Sequence, residues 1–415
     1  MTTATDVLQT ACAEVREPGP EDLVDGVAPG VVARPTSTDE VAEVMRVAAE
    51  HRLTVVPRGR GTKLTWGLPP TSADVLLDLG AMDRVLDHAA GDLIVQTQAG
   101  ATLDAVQSVV GQARQRVTID ATVPGGTVGG TLATNTSGPR RMVGGTMRDL
   151  LIGLTVVRAD GVVAKAGGRV VKNVAGYDLG KLMVGSYGTL AVVTEALFRL
   201  HPEPEAQRWI SVPVTSPAQA QRLAQDAVHS QVVPAAVEVG WAPTGSGVLT
   251  VLLEGREHGV EGRAATVRGL LGDESSETDQ APAGWAAYPW EHAATGEERA
   301  TALKLTFLLS GLADVLAAAD DTGVPVAVSG SAGTGVVYAA VPAGVPVDDA
   351  ARVLARLRDV CGRHGGSAVV LDAAASVKSG LDCWGPVPAI DLMRRVKDQF
   401  DPDHRLAPGR FVGGI

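Results

Sequence analysis

Apolar positions in the first third of the chain follow two periods. Ser37-x-x-Glu40 is a capping box, and Val41, Val44, Met45 and Ala48 follow it on one helical face, which predicts an amphipathic helix. Leu53 to Val56 reads as a buried strand that empties into the loop Pro57-Arg58-Gly59-Arg60-Gly61-Thr62-Lys63-Leu64. Val75 to Leu79 and Leu93 to Gln98 are further strand candidates, and Thr102 opens a helix carrying Leu103, Val106, Val109 and Val110. Leu151 to Arg158 and Val162 to Lys165 flank Asp160-Gly161, a hairpin signal. Asp178 to Val184 suits a short helix and Thr189 to Leu200 a long strand.

Past Pro202 and Pro204 the pattern changes, with helical segments around Ala218 to Val228 and Arg263 to Leu271 and strands around Val248 to Glu254 and Val324 to Val328. A domain boundary is expected near residue 205, giving domains at 1–205 and 206–375 and a C-terminal segment at 376–415 that returns to the first domain. Asp273 to Arg299 is polar and turn-rich with Trp285, Tyr288 and Trp290 embedded, which predicts a long surface loop, mobile or available to a partner.

A length of 415 residues supports two domains rather than one core. Thirty-six Lys plus Arg against 47 Asp plus Glu leave a net charge of -11, which disfavours nucleic acid and anionic membrane surfaces as partners. No secretory apolar region opens the chain, and the charge-free stretch Thr322 to Val347 is broken by Gly and Pro, so a cytoplasmic chain without a transmembrane segment is expected. Cys12, Cys361 and Cys383 are too few and too scattered for an iron–sulfur cluster. The eight histidines form no metal-binding spacing, so no metal site is expected.

Candidate chemistry gathers in two glycine loops. The first lacks the P-loop signature and has Leu64 where a dinucleotide fold needs a third glycine, but Gly59 and Gly61 permit a backbone nest for phosphate oxygens, with Arg58 and Arg60 as sources of charge. The second, Pro124-Gly125-Gly126-Thr127-Val128-Gly129-Gly130-Thr131-Leu132-Ala133-Thr134-Asn135-Thr136-Ser137-Gly138, adds paired glycines for close approach and hydroxyls for orientation. The spacing Gly129-Gly130-x-x-Ala133 predicts a helix start pressed against a neighbour. Arg140, Arg141 and Arg148 follow as anion partners.

These loops, the segment Arg148-Asp149-Leu150-Leu151-Ile152-Gly153-Leu154 ending at Ala159-Asp160-Gly161, and Gly185-Ser186-Tyr187-Gly188-Thr189-Leu190-Ala191-Val192-Val193-Thr194-Glu195 occur in the order seen in vanillyl-alcohol-oxidase-type (PCMH) FAD-binding domains, which residues 25 to 205 resemble. The tail Phe400-Asp401-Pro402-Asp403-His404-Arg405-Leu406-Ala407-Pro408-Gly409-Arg410-Phe411 resembles the end of FAD-linked 2-hydroxy-acid oxidases. Lys172-Asn173-Val174-Ala175-Gly176-Tyr177-Asp178-Leu179 is most similar to the FAD-binding E subunits of bacterial glycolate oxidases.

The resemblance implies an α+β fold, with a PCMH-type FAD domain of two α/β subdomains and an α+β cap. It implies that Pro57, Arg58, Gly59, Arg60, Gly61 and Thr62, then Pro124, Thr127, Gly129, Gly130, Thr134, Asn135, Ser137 and Gly138, hold FAD, joined by Arg148, Gly188 and Val193. Thr62 stands where many relatives carry the histidine that bonds flavin covalently, so the FAD is expected to be non-covalent. Ser329 to Gly335 lacks the imidazoles of the metal-associated motif in related dehydrogenases. Lys172, Tyr177 and Arg148 are polar candidates without an assigned catalytic role.

The implied activity is oxidation of a short 2-hydroxy acid, glycolate or D-lactate, alongside a catalytic flavoprotein and an iron–sulfur subunit, with contact to the inner membrane face only through those partners. Two alternatives stay open: a non-catalytic FAD-binding electron-transfer or structural module, and a free-standing dehydrogenase of another hydroxy acid.

Overall fold

The computed structural model describes residues 4–12, 14–169, 178–292 and 294–415. It is an α+β protein whose contacts divide into two compact units: Met1–Thr136, Thr146–Glu203 and Val387–Ile415 in the first, Ser137–Gly145 and Pro204–Pro386 in the second.

In the first unit, strands Val31–Ala33, Val75–Asp78 and Val55–Arg58 pair in parallel, with Val15–Arg16 antiparallel at the edge. Parallel strands need a crossover, and the helix Thr38–Glu50 supplies the one from Val31–Ala33 to Val55–Arg58, which flank Val75–Asp78 on its two sides. Ser37 Oγ accepts the Glu40 N–H at 3.2 Å while Glu40 Oε2 accepts the Thr36 N–H at 2.8 Å, so the helix start has its donors satisfied. Val41, Val44, Met45 and Ala48 are fully buried in a cluster with Val31, Val55, Val75 and Leu77. Leu406, from the far end of the chain, completes it.

A second, five-stranded antiparallel sheet runs in the order Val85–Ala89, Ile94–Gln98, Val192–Arg199, Leu151–Val157, Val163–Gly167. Its hairpin turns at Asp160-Gly161, where Asp160 Oδ1 accepts the Val162 N–H at 3.1 Å and Gly161 takes φ +78°. The helices Leu103–Gly111 and Val128–Thr134 share its core through Val106, Val110, Val128 and Leu132. The tail docks on the parallel sheet by backbone: Val55 N–H donates to Arg405 O at 2.8 Å and Ala407 N–H to Val55 O at 2.9 Å.

The second unit is built on one eight-stranded antiparallel sheet, ordered Ser276–Thr278, Ala206–Val214, Ser246–Gly255, Ala236–Ala242, Ala327–Ser331, Val336–Val341, Thr301–Thr306, Ser367–Asp372. Helices Pro217–His229, Glu257–Leu271, Leu312–Asp320 and Val347–Arg363 pack on it. The last buries Ala350, Val353, Leu354, Leu357, Val360 and Cys361, a stripe at helical period.

The stretch Asp273 to Arg299 differs from the expected free loop. Ser276–Thr278 adds an edge strand to Trp209–Ser211, and Tyr288 is buried, because its ring packs against Trp290 and Tyr338. Residues 137–145 join the second unit although the flanking sequence belongs to the first. There Arg140 Nε pairs with Glu254 Oε1 at 2.8 Å and Arg141 Nη2 donates to the Tyr338 hydroxyl at 3.0 Å. Among the described residues no helix is long and apolar enough to cross a membrane, and no group of three His, Cys, Asp or Glu could hold a metal ion.

Candidate functional site

The strand Val55–Arg58 ends in the 59–64 loop, and Thr127 caps the helix Val128–Thr134 by accepting the Gly130 N–H at Oγ1, 3.2 Å away. The two glycine loops touch here: a Cβ on Gly59 would collide with Thr127 Oγ1 and lie 3.0 Å from Thr127 Cγ2. The helix start is pressed against the Ala99–Ala101 backbone, with Val128 N–H donating to Ala101 O and Gly129 N–H to Ala99 O, both at 2.8 Å. A Cβ on Gly129 would stand 2.9 Å from Ala99 Cβ.

Two adjoining hollows open beside this contact. One is walled by Pro57, Gly59, Arg60, Gly61, Thr62 and Lys63 on one side and by Thr127, Gly130, Thr134, Tyr187 and Arg410 on the other. The second is walled by Pro57, Gly59, Thr127, Gly129, Gly130, Gly188 and Val193. Backbone and small side chains thus line both, which leaves room for a ligand to approach the main chain.

Arg58 lines both hollows, but its guanidinium is already neutralised. Nη1 meets Asp22 Oδ1 at 2.7 Å and Nη2 meets Asp78 Oδ2 at 2.6 Å. Asp22 is fully buried and also takes Arg16 at 2.6 Å, and the Arg16 hydrogen bond, with Gly19 and Arg58, holds its carboxyl far below the usual range. The expectation that Arg58 offers charge to an anion is therefore corrected: two carboxylates fix it as a brace of the strand end. Arg60 is exposed.

Lys63 is the cation that sequence reasoning passed over. Its Nζ would sit 3.5 Å from a Cβ on Gly126, it makes no ion pair or hydrogen bond among the described residues, and burial pushes its ammonium down to about 8. A lysine between two glycine loops, read as part of the nest rather than as the end of a motif, would have flagged it.

Asn135 ends the short helix in the left-handed region at φ +48°, and its Oδ1 is buried without a hydrogen-bond partner. Thr134 Oγ1 turns back onto Gly130 O at 2.8 Å. Pro124 is exposed at the loop entrance, Ser137 and Gly138 belong to the second unit, and none of these three, nor Asn135, lines a hollow. Arg148 is exposed and lines neither hollow; its Nη1 donates to Lys181 O at 2.7 Å. Lys172 and Tyr177 lie outside the described residues.

Tyr187 and Arg410 bring distant chain to the hollow. Tyr187 takes φ +56° and stacks on Phe411 with ring centroids 5.4 Å apart, while Arg410 Nη2 donates to Trp66 O at 2.7 Å. Neither follows from the local pattern, since the tail reaches the loop only through tertiary packing. The cysteines offer no ready nucleophile: burial raises the Cys12 thiol and pushes Cys361 up to about 12. The donor set fits a large anionic cofactor: glycine backbone N–H groups, the Lys63 ammonium, and no carboxylate among the side chains that wall the two hollows.

Residues 29–167 match the FAD binding domain family and residues 381–411 the C-terminal domain of FAD linked oxidases. The chain is 35% identical over 217 residues to the glycolate oxidase subunit GlcD of Bacillus subtilis (strain 168), covering 52% of this chain and 46% of that protein. It is 33% identical over 208 residues to a D-lactate dehydrogenase of Archaeoglobus fulgidus, covering 50% and 46%. The aligned part is thus about half the length of these curated relatives. The crystal structure of p-cresol methylhydroxylase with substrate bound superposes with a TM-score of 0.77 at 15% identity, covering 98% of this chain and 96% of that one. Two glycine loops that pack against each other thus lie within a region, residues 29–167, that matches the FAD binding domain family, and residues 381–411 match the C-terminal domain of FAD linked oxidases, on a fold shared with p-cresol methylhydroxylase.

Proposed function

We propose that the chain is the FAD-binding subunit of a glycolate-oxidase-type complex, taking part in oxidation of a short 2-hydroxy acid, glycolate or D-lactate, to the 2-oxo acid. Electrons would leave through a catalytic flavoprotein partner and an iron–sulfur subunit. The observation that carries this reading is the contact of the Gly59 and Thr127 loops around an unpaired Lys63, inside a matched FAD binding domain. Support for the substrate class comes from relatives named glycolate oxidase subunit, D-lactate dehydrogenase and D-2-hydroxyglutarate dehydrogenase.

Bound FAD supplies a two-electron acceptor for oxidation at an alcohol carbon. The chain's own part would be to hold it without a covalent bond: the 57–62 and 127–130 backbone cradling the pyrophosphate and ribityl chain, and the Val193 region meeting the adenine end. Anaerobic addition of glycolate or D-lactate to the FAD-loaded chain tests the reading by absorbance. Bleaching with the chain alone, or only once the partner subunits are added, supports it. Flavin that stays oxidised in both settings, or failure to take up FAD, refutes it.

Lys63 would supply positive charge to the phosphate oxygens. An ammonium that titrates near 8 when empty gains a higher pKa beside an anion, so the added affinity is full below pH 8 and is lost as pH rises through the bound-state value. Lys63→Met should weaken FAD binding roughly tenfold at pH 7 and flatten its pH dependence, read by quenching of flavin fluorescence. Unchanged affinity at pH 7 excludes the role.

A further inference from the structure

Unlike its neighbour Arg140, Arg141 has no ion pair with a carboxylate among the described residues. Arg140 beside it has Glu254, whereas Arg141 donates from Nε to Gly138 O at 3.3 Å and from Nη2 to Ser137 O and to the Tyr338 hydroxyl, the last at 3.0 Å. Its Nη1 has no hydrogen-bond partner among the described residues. Ser137, whose carbonyl it grips, keeps a buried Oγ without a partner.

Tyr338 is buried on the Val336–Val341 strand, opposite Lys304 on Thr301–Thr306. Burial opposes its ionisation, but the charges of Arg141 and Lys304 and hydrogen bonds from Arg141 and Tyr288 outweigh it, so its phenol lies below the ordinary range and its O–H is a strengthened donor. Around it stand aromatic faces: Tyr288 at 4.5 Å and Trp290 at 6.1 Å between centroids, with Tyr288 and Trp290 stacked at 4.6 Å. Glu238 acts on Arg141 from the Ala236–Ala242 strand. Among the described residues the charges that act on this pair are the cation Lys304, on Tyr338, and the carboxylate of Glu238, on Arg141.

We propose that Arg141, Tyr338 and Tyr288 form a binding site in the second unit for the carboxylate of a small organic acid, with Trp290 as an apolar wall. A monoanion suits Nη1, the guanidinium nitrogen without a hydrogen bond among the described residues, and Glu238 disfavours a dianion such as phosphate. Flat aromatic faces suit a short carbon skeleton. As the recognition site for the 2-hydroxy acid, it rests on the function proposed above.

The test is calorimetric titration of the full FAD-loaded chain with D-lactate and glycolate, with inorganic phosphate as the control anion. Arg141→Gln should weaken lactate binding 10- to 100-fold and Tyr338→Phe by roughly tenfold, with little change for phosphate. Arg141→Lys keeps the charge but loses the fork, and should recover only part of the affinity. Thermal melts separate folding from binding: variants that melt lower yet bind lactate as the parent does would make Arg141 a purely structural brace and overturn the proposal. Phosphate binding that competes equally with lactate would also overturn it. The two readings fail separately. Arg141-dependent lactate binding without flavin bleaching by either acid removes the oxidation and keeps the site, whereas bleaching with an unchanged KM in Arg141→Gln removes the site and keeps the oxidation.

Discussion

Asp401→Ala should destabilise the first unit by about 3–5 kcal/mol, measured by urea unfolding, because it strands a buried ammonium. Lys397 and Asp401 are both fully buried, with Nζ 2.6 Å from Oδ2, and Nζ also donates to Thr189 O at 2.7 Å and Leu406 O at 3.0 Å. Asp401 in turn accepts the Arg405 N–H at 3.1 Å and the Leu406 N–H at 2.7 Å. One ion pair therefore ties the last helix, the Thr189 turn and the tail that bonds to Val55. Burial holds the Lys397 ammonium below its ordinary pKa even with Asp401 beside it, a sign of how costly the unpaired charge would be.

The same substitution should weaken FAD uptake, since Val55 begins the strand whose end forms the Gly59 loop. Replacing both partners, Lys397→Met with Asp401→Leu, should cost clearly less than the two single losses added together. Additive losses would mean that the pair is not the fastening.

Gly59→Ala carries the second large effect. The new Cβ meets Thr127, which cannot swing away without giving up the cap on Gly130 N–H, so strain of about 1–3 kcal/mol falls on the loop contact. FAD affinity should fall at least tenfold as the loops part. Thr127→Gly removes the obstructing methyl and hydroxyl at the expense of the side-chain cap, costing about a few tenths of a kcal/mol by itself. In the Gly59→Ala background it should relieve part of the loss, so that the double variant is better than additivity predicts. Flavin titration and thermal melts of the four proteins read this cycle, and a Gly59→Ala protein that binds FAD as the parent does would show that the close contact plays no part.

Much of the first unit was legible because its signals are local. The Ser37 cap, the Asp160-Gly161 turn and the apolar stripe from Val41 to Ala48 each depend on residues a few positions apart, and the structure realises each of them, although Glu40 reaches the Thr36 N–H rather than that of Ser37 and so does not close the capping box. The compression at Gly129 was also readable, as small residues at one face of a helix have few other uses. The same logic does not reach Arg58. An arginine in a glycine loop has the right charge for an anion, but whether that charge is available depends on Asp22 and Asp78, which lie far off in sequence and pair with it.

By itself the sequence determined the element types, the two glycine loops and their resemblance to an FAD-binding domain, since these rest on short-range periodicity, capping and backbone freedom. Only the tertiary structure decided which charges remain unpaired. Lys63 stands alone because the loops close around it, and Arg141 lacks a carboxylate because residues 137–145 fold into the second unit against Tyr338. Arg410 reaches the hollow because the tail docks by backbone on Val55, fastened by a buried ion pair. Ion pairing and burial are properties of neighbours in space, and the spacing of residues along a chain does not encode them directly.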